Sequence, residues 1–315
     1  MATKKENIVP ESTTGANPEE VQNPSEEMAP VISGGNPGEV QNPSEETLSD
    51  AASIVLQDST AIESQVEFKE STIAVVFPYI ASKAQGKELL YAIRSFQQNF
   101  KHPHHIVVIG EREDWFNDEE IIYIELSQDS DNPQVNTMEA LKTAIASDKV
   151  TESFIWTNDD IYLVSPVDMS YIAFPKVLGL LNPDKYKDVY KSNMENTIKY
   201  LCSKNLPLYN YGTHTPFLYD KEKLVSLLEE YPEISLGDNL FSSVYFNRYN
   251  EARPFVLNWK TDPFLLPVIS KAPDPVVFES LLETKCFLNN TPTGYSAFLE
   301  SKLEELFPEK SVYEK

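Results

Sequence analysis

Asn158, Asp159 and Asp160 end a short apolar run, Phe154-Ile155-Trp156, and apolar residues resume at once in Ile161–Val164. Adjacent carboxylates at the end of a buried strand are costly unless something cationic neutralises them. In open α/β sheets the carboxyl ends of strands are also where ligands bind. Hard oxygen ligands suit Mg²⁺ or Mn²⁺, and either ion would bridge such a pair to a diphosphate. Asp159 and Asp160 are therefore the candidate metal ligands. The alternative for the same residues is a β-turn, which Asn and Asp favour through local hydrogen bonds.

His214 stands between Thr213 and Thr215 in the aromatic run YNYGTHTPFLY. An ordinary pKa near neutrality suits a general base, although a lone histidine is more often structural. Arg112 directly follows a buried apolar run, which is a ligand-edge position, and Glu111 and Glu113 offer it surface pairing instead. Arg94 lies among Leu89, Leu90, Ile93 and Phe96. Its stem would cover the edge of the core, or its guanidinium would reach a diphosphate. Asn136 opens a helical pattern and reads as its N-cap. Asp238 in SLGDN, and Lys260 and Asp262 in NWKTDPF, read as turn or surface residues, with ligand contact as the other reading. His102, His104 and His105 are spaced across Pro103 in a way that suits no single metal centre, and are expected in a surface loop.

The elements that must position these groups are legible as alternating patterns. Thr72–Tyr79 is a continuous apolar run of strand length, ended by Pro78. Lys87–Phe100 has helical spacing. Ile106–Gly110 and Ile121–Leu126 read as strands, and Asn136–Ser147 as a second helix. The Phe154–Val164 strand then carries the carboxylates. This alternation predicts a Rossmann-like α/β sandwich with a mostly parallel central sheet. Neither GxGxxG nor GxxxxGK[ST] occurs, so phosphate would have to be met by a metal or by side chains. Further on, Asp184–Ser203, Asp220–Tyr231 and Ser296–Phe307 read as helices. Tyr209–Tyr219 reads as strand or loop, and Leu240–Tyr249 as helical or extended.

Composition divides the 315 residues into two parts. Residues 1–71 are rich in Glu, Pro, Ser, Asn and Gly, hold no aromatic residue before Phe68, and repeat NPEEVQNPSEE as NPGEVQNPSEE nineteen residues later. Such a segment cannot bury enough apolar surface to offset its ordering entropy and is expected to be a disordered acidic tail. Residues 72–315 have the size of one large domain. The net charge of −23 divides almost evenly between them. An acidic folded part argues against nucleic acid as a partner. Two cysteines, Cys202 and Cys286, make no disulfide framework. MATKKENIVPESTTG lacks the apolar centre of a secretory signal, and no apolar stretch approaches eighteen residues. A soluble, cytoplasmic protein without a membrane span is expected.

Taken in order, ELLYAIRSFQQNF, HHIVVIGEREDWF, NTMEALKTAIAS, ESFIWTNDDIYLVSPV, THTPFLYDKEKLVSLLEEYP, KCFLNN and LEELFPEKSVYEK cover about Lys87 to Lys315. They resemble the Stealth family, sugar-phosphate transferases of bacterial capsule synthesis. The resemblance implies a glycosyltransferase-A-like fold in residues 72–315. It also implies a nucleotide-sugar donor, UDP-linked, contacted by Asn158 and held through Mg²⁺ or Mn²⁺ at Asp159 and Asp160, with a glycan or other hydroxyl as acceptor. His214 matches the family's functional histidine, Asp159 joins it as a catalytic candidate, and Arg94, Arg112 and Asn136 become candidate donor contacts. The chain departs from the family where its opening strand, VVFPYIAS, and its late Asn289-Asn290 lack a carboxylate. A second class therefore stays open: a non-catalytic glycan-binding or assembly component that keeps the fold, with the acidic tail tethering it to a larger assembly.

Overall fold

The computed structural model describes residues 72–315, and the expected disordered tail lies outside them. The sheet that organises the molecule has five strands: β1 (Ile73–Tyr79), β2 (His104–Gly110), β3 (Ile122–Glu125), β4 (Ser153–Trp156) and β7 (Phe217–Asp220). Their order is β3-β2-β1-β4-β7, with every pairing parallel except that of β4 with β7. This is the α/β architecture with a mostly parallel central sheet that the alternation predicts.

Strand alternation assigns the two faces. Ile73, Val75, Phe77 and Tyr79 of β1 pack with Leu89, Ile93 and Phe96 of helix α1 (Glu88–Asn99). Ala74 and Val76 pack on the other face with Met138, Leu141 and Ala144 of α2 (Pro133–Ala146). Strands buried on both faces read as continuous apolar runs rather than alternating ones, as TIAVVFPY does. Because α1 and α2 leave on opposite faces, the strand order reverses between β1 and β4. In such sheets that crevice is where ligands bind.

Several expectations need correction. Pro78 does not end β1, since it pairs in register with Ile109. Its missing N–H falls on the β4 side, where β4 has already finished at Trp156, so no ladder bond is lost. Phe154–Val164 is not one strand. The chain turns at Asn158–Asp160 and Ile161–Leu163 becomes β5 of a second sheet, ordered β5-β10-β9 with β9 at Leu265–Val268 and β10 at Phe287–Asn290. The free edge of β5 is closed by α1: the Leu163 amide donates to the Ser95 hydroxyl (3.0 Å), and the Asn99 amide donates to the Leu163 carbonyl (2.6 Å). Helix α2 starts three residues before Asn136, at Pro133, and is capped by Asn132, whose Oδ1 accepts from Gln134 N. His104 and His105 open β2 instead of lying in a loop.

The remaining helices are α3 (Met169–Ala173), α4 (Asp188–Ser203), α5 (Lys221–Glu230), α6 (Phe241–Tyr249), α7 (Pro275–Leu282) and α8 (Ala297–Leu306). A two-stranded ribbon pairs β6 (Lys176–Val177) with β8 (Phe255–Val256). Helices α4, α5 and α6 complete the core on the α2 side, while α8 and the second sheet cover α1. Buried Lys176 donates from Nζ to the carbonyls of Tyr171 (2.7 Å) and Phe174 (2.6 Å) at the end of α3, and burial without a carboxylate partner lowers its pKa to about 7. Among the described residues no helix is long and apolar enough to cross a membrane.

Candidate functional site

Asp159 and Asp160 lie at the crevice between β1 and β4, in the turn that carries the chain from the central sheet into the second one. Both are part-buried. Burial first, then the charge of Glu88, holds the Asp159 carboxyl up at about 7. Asp160 is pushed well above the carboxylate range by burial, then by Asp159 and Glu88. Among the described residues no lysine or arginine forms an ion pair with either group, and Asp160 Oδ1 is buried with no hydrogen-bond partner. Next to them, Thr157 Oγ1 is equally buried and unpartnered. Orphaned polar atoms of this kind are rare in native proteins and call for an explanation, such as a bound ion.

The turn is held by its neighbours in the second sheet. The Asp160 carbonyl accepts from Asn290 N (3.3 Å) and from Asn289 Nδ2 (3.2 Å). Across the crevice Tyr79, the last residue of β1, donates its hydroxyl to Glu113 Oε1 at 2.5 Å, and burial with the nearby carboxylates raises the phenol's pKa. β1 and β2 approach closely here. Gly110 has φ 137°, and a Cβ on it would stand 2.0 Å from the Tyr79 carbonyl oxygen, so only glycine fits.

Glu88 is the residue that sequence reasoning passed over. It opens α1, is 3% exposed, and accepts from Gln85 N at Oε2 (2.6 Å) and Asn290 Nδ2 at Oε1 (2.7 Å). Burial raises its pKa despite those two donors. A glutamate in a helix's first turn reads as favourable to the helix dipole, so its sequence context held no other signal.

His214 reaches the same edge through topology. Trp156 of β4 pairs with Phe217 of β7, so the loop before Phe217 lies beyond the carboxyl end of β4, as the Asp pair does. The histidine adopts φ 49°, a left-handed conformation uncommon outside glycine, in which asparagine, aspartate and histidine are the more frequent exceptions. Thr213 and Thr215 on either side share a hydroxyl hydrogen bond of 2.8 Å. Burial lowers the imidazole's pKa, which keeps the ring neutral and able to take a proton.

The other candidates fall elsewhere. Arg94 lies six residues, about 9 Å, along α1 from Glu88. Its guanidinium is engaged bidentately by Glu314 (2.8 and 2.7 Å) and also donates to the Phe307 carbonyl (3.1 Å), so it fastens the C-terminal segment rather than facing the crevice. Arg112 is at the correct sheet edge but pairs with Asp118 (2.5 Å) over the ring of Tyr123. Asn136 is buried and closes its own loop, accepting from Ser130 N (3.0 Å) and donating to Ser130 O (2.9 Å). Asn158 begins the Asp turn, its carbonyl accepting from Ile161 N (3.3 Å). Asp238 meets Asn196 and Asn239 in a turn, and Lys260 is exposed over Trp259. Asp262, read as turn or surface, is instead buried. Its Oδ1 accepts from Phe264 N (2.7 Å) and Leu265 N (2.9 Å) and faces buried Lys285 Nζ at 3.6 Å.

A hollow of about 320 Å³ runs along the outer edge of β7, walled by Phe174, Tyr211, Phe217, Phe246 and Tyr249. Its polar atoms are already engaged: Asp220 caps α5, Tyr245 OH accepts from Asp220 N, and Tyr249 OH donates to Lys223 O. The orphaned Asp160 Oδ1 and Thr157 Oγ1 therefore mark the candidate site, and this hollow does not. Among the described residues no group of three or more His, Cys, Asp and Glu side chains is arranged to hold a metal ion. Asp159 and Asp160 nonetheless fit a hard cation of the kind that takes one or two carboxylates and completes its shell with substrate phosphates and water. The chain matches no protein-family model and no curated protein.

Proposed function

We propose that the chain is a nucleotide-sugar-dependent transferase of glycosyltransferase-A type that moves a sugar or sugar-phosphate to a hydroxyl of a glycan or similar acceptor. One observation carries this reading: two carboxylates that have no cationic partner among the described residues, at the strand-order reversal of a mostly parallel sheet in a chain that has no glycine-rich phosphate loop. Asp159 and Asp160 would hold Mg²⁺ or Mn²⁺. When bound, the ion neutralises the donor diphosphate and the charge that develops on the leaving nucleotide. His214, neutral and on the same edge, takes the proton of the acceptor hydroxyl as its oxygen attacks. A cytoplasmic location is part of the same proposal.

The second reading, a non-catalytic glycan-binding or assembly component, draws support from Arg94 and Arg112. Both cations that would steer a diphosphate are engaged by Glu314 and Asp118. Isothermal titration with UDP-sugars, with and without Mn²⁺, tests the proposal. Metal-dependent binding followed by donor consumption with a glycan acceptor is expected. Binding without consumption selects the second reading, and no metal-dependent binding of any nucleotide sugar removes the first.

A further inference from the structure

Asn290 is 1% exposed, ends β10, and has both its amide N–H groups and its amide oxygen engaged. Its Oδ1 accepts from the hydroxyl of fully buried Tyr162 (2.8 Å), and its Nδ2 donates to Glu88 Oε1 (2.7 Å) and to Thr291 O (3.2 Å). A backbone carbonyl can only accept, so Thr291 O fixes the amide with its nitrogen on that side and towards Glu88, and Tyr162 donates to the oxygen. With Gln85 N on the other oxygen, both atoms of the Glu88 carboxylate are engaged as acceptors. Among the described residues no three carboxylates form a ligand set, so this third one is not placed to share an ion with the pair, yet its charge is felt by both Asp159 and Asp160.

Two further atoms point to what the arrangement serves. Thr157 Oγ1, 1% exposed, and Asp160 Oδ1 are both buried without partners. By strand alternation Thr157 shares the face of Ile155, the face on which α1 packs.

We propose that Asn290, which holds both the Asp160 carbonyl and Glu88, is a positioning residue for cation binding at Asp159 and Asp160, acting by fixing the Glu88 carboxylate as a nearby charge that attracts the ion without touching it. The inference rests on the cation-assisted reading of the Asp pair. It separates the asparagine's two contributions. The backbone N–H that holds the Asp160 carbonyl survives replacement of the side chain, whereas the contact with Glu88 does not. Partners that orient and polarise a metal site from behind typically change its affinity ten- to a hundredfold.

Binding of Mn²⁺ alone, followed by titration calorimetry on the full-length chain, tests this with Asp159→Asn, Glu88→Gln, Asn290→Ala and the double variant Glu88→Gln/Asn290→Ala. Asp159→Asn should lose binding. Glu88→Gln and Asn290→Ala should each weaken it roughly tenfold or more, and the double variant should be little weaker than the worse single one, because both act through one carboxylate. Wild-type affinity in Glu88→Gln and Asn290→Ala, alongside loss in Asp159→Asn, overturns this inference and leaves the cation reading standing. A lowered melting temperature with unchanged affinity does the same, since it makes the asparagine structural only. Absence of Mn²⁺ binding in the wild type overturns both. Glu88→Gln keeps the side chain's shape and one accepting oxygen while removing the charge, and decides the matter if Asn290→Ala does not fold.

Discussion

Replacing Asp159 by Asn should stabilise the metal-free protein at alkaline pH. An aspartate whose carboxyl is held up at about 7 in the fold but titrates near 3.9 when unfolded favours the fold only while it carries a proton. Its contribution is complete below the unfolded value and is lost as pH rises through about 7. The full difference corresponds to about 4 kcal/mol, of which about 1.4 kcal/mol disappears between pH 6 and pH 8.5. Asp159 keeps some solvent contact, so we set the expected gain of Asp159→Asn at pH 8.5 at about 2 kcal/mol. For a domain of this size that is roughly 4–8 °C in Tm. Removing this charge also relieves Asp160, for which Asp159 is the larger of the two charged neighbours. Urea unfolding in EDTA across pH 6 to 8.5 measures the effect: the variant's advantage over the wild type should grow across this range, while groups common to both, such as Lys176, cancel in the difference. Mn²⁺ with UDP should restore the wild type and leave Asp159→Asn unchanged. Equal stability of the two proteins at pH 8.5, with parallel pH profiles, would refute the claim that these carboxylates are crowded and unneutralised.

His214→Ala should lower turnover by roughly a hundredfold or more with little change in donor affinity, as removal of a general base does; steady-state kinetics on a UDP-sugar, paired with calorimetry, separate the two. Arg94→Ala should instead lower Tm while donor affinity stays at the wild-type value, because the residue fastens the C-terminal segment through Glu314 and Phe307; losing one partner of such a part-buried pair costs on the order of 2–3 kcal/mol. On the acid side, His104 has a buried, unpartnered Nε2 and a pKa lowered by burial, so the unfolded chain takes up its proton first and stability falls as pH drops below about 6.5. His104→Leu should flatten the thermal unfolding profile between pH 7 and 5, and an unchanged slope would place the acid sensitivity elsewhere.

Patterns of local period made the skeleton of the fold legible. TIAVVFPY, IVVIG and FIW are continuous apolar runs because both faces of a parallel sheet are covered, and ELLYAIRSFQQN carries the helical spacing of a face that must reach them. The carboxylate pair was legible for the same reason, since charge following a strand of that kind has to lie at its end. Departures from periodicity were not legible. Nothing in NDDIYL says that the chain leaves one sheet for another at the turn, because a strand of three residues is too short to show a period. Short pieces such as β6 and β8 escaped for that reason too.

The composition of the site was decided by tertiary structure alone. Glu88 and Asn290 lie 202 residues apart, and only the packing of α1 against the second sheet brings them together. Arg94 looked like a phosphate contact in a stretch of chain where Glu314, 220 residues away, was out of sight. Residue type and local spacing determined which groups could bind an ion or move a proton, because those are properties of the side chain and its element. Which of them stand without a partner depends on every group that folding carries to their side, and that is set only when the chain closes on itself.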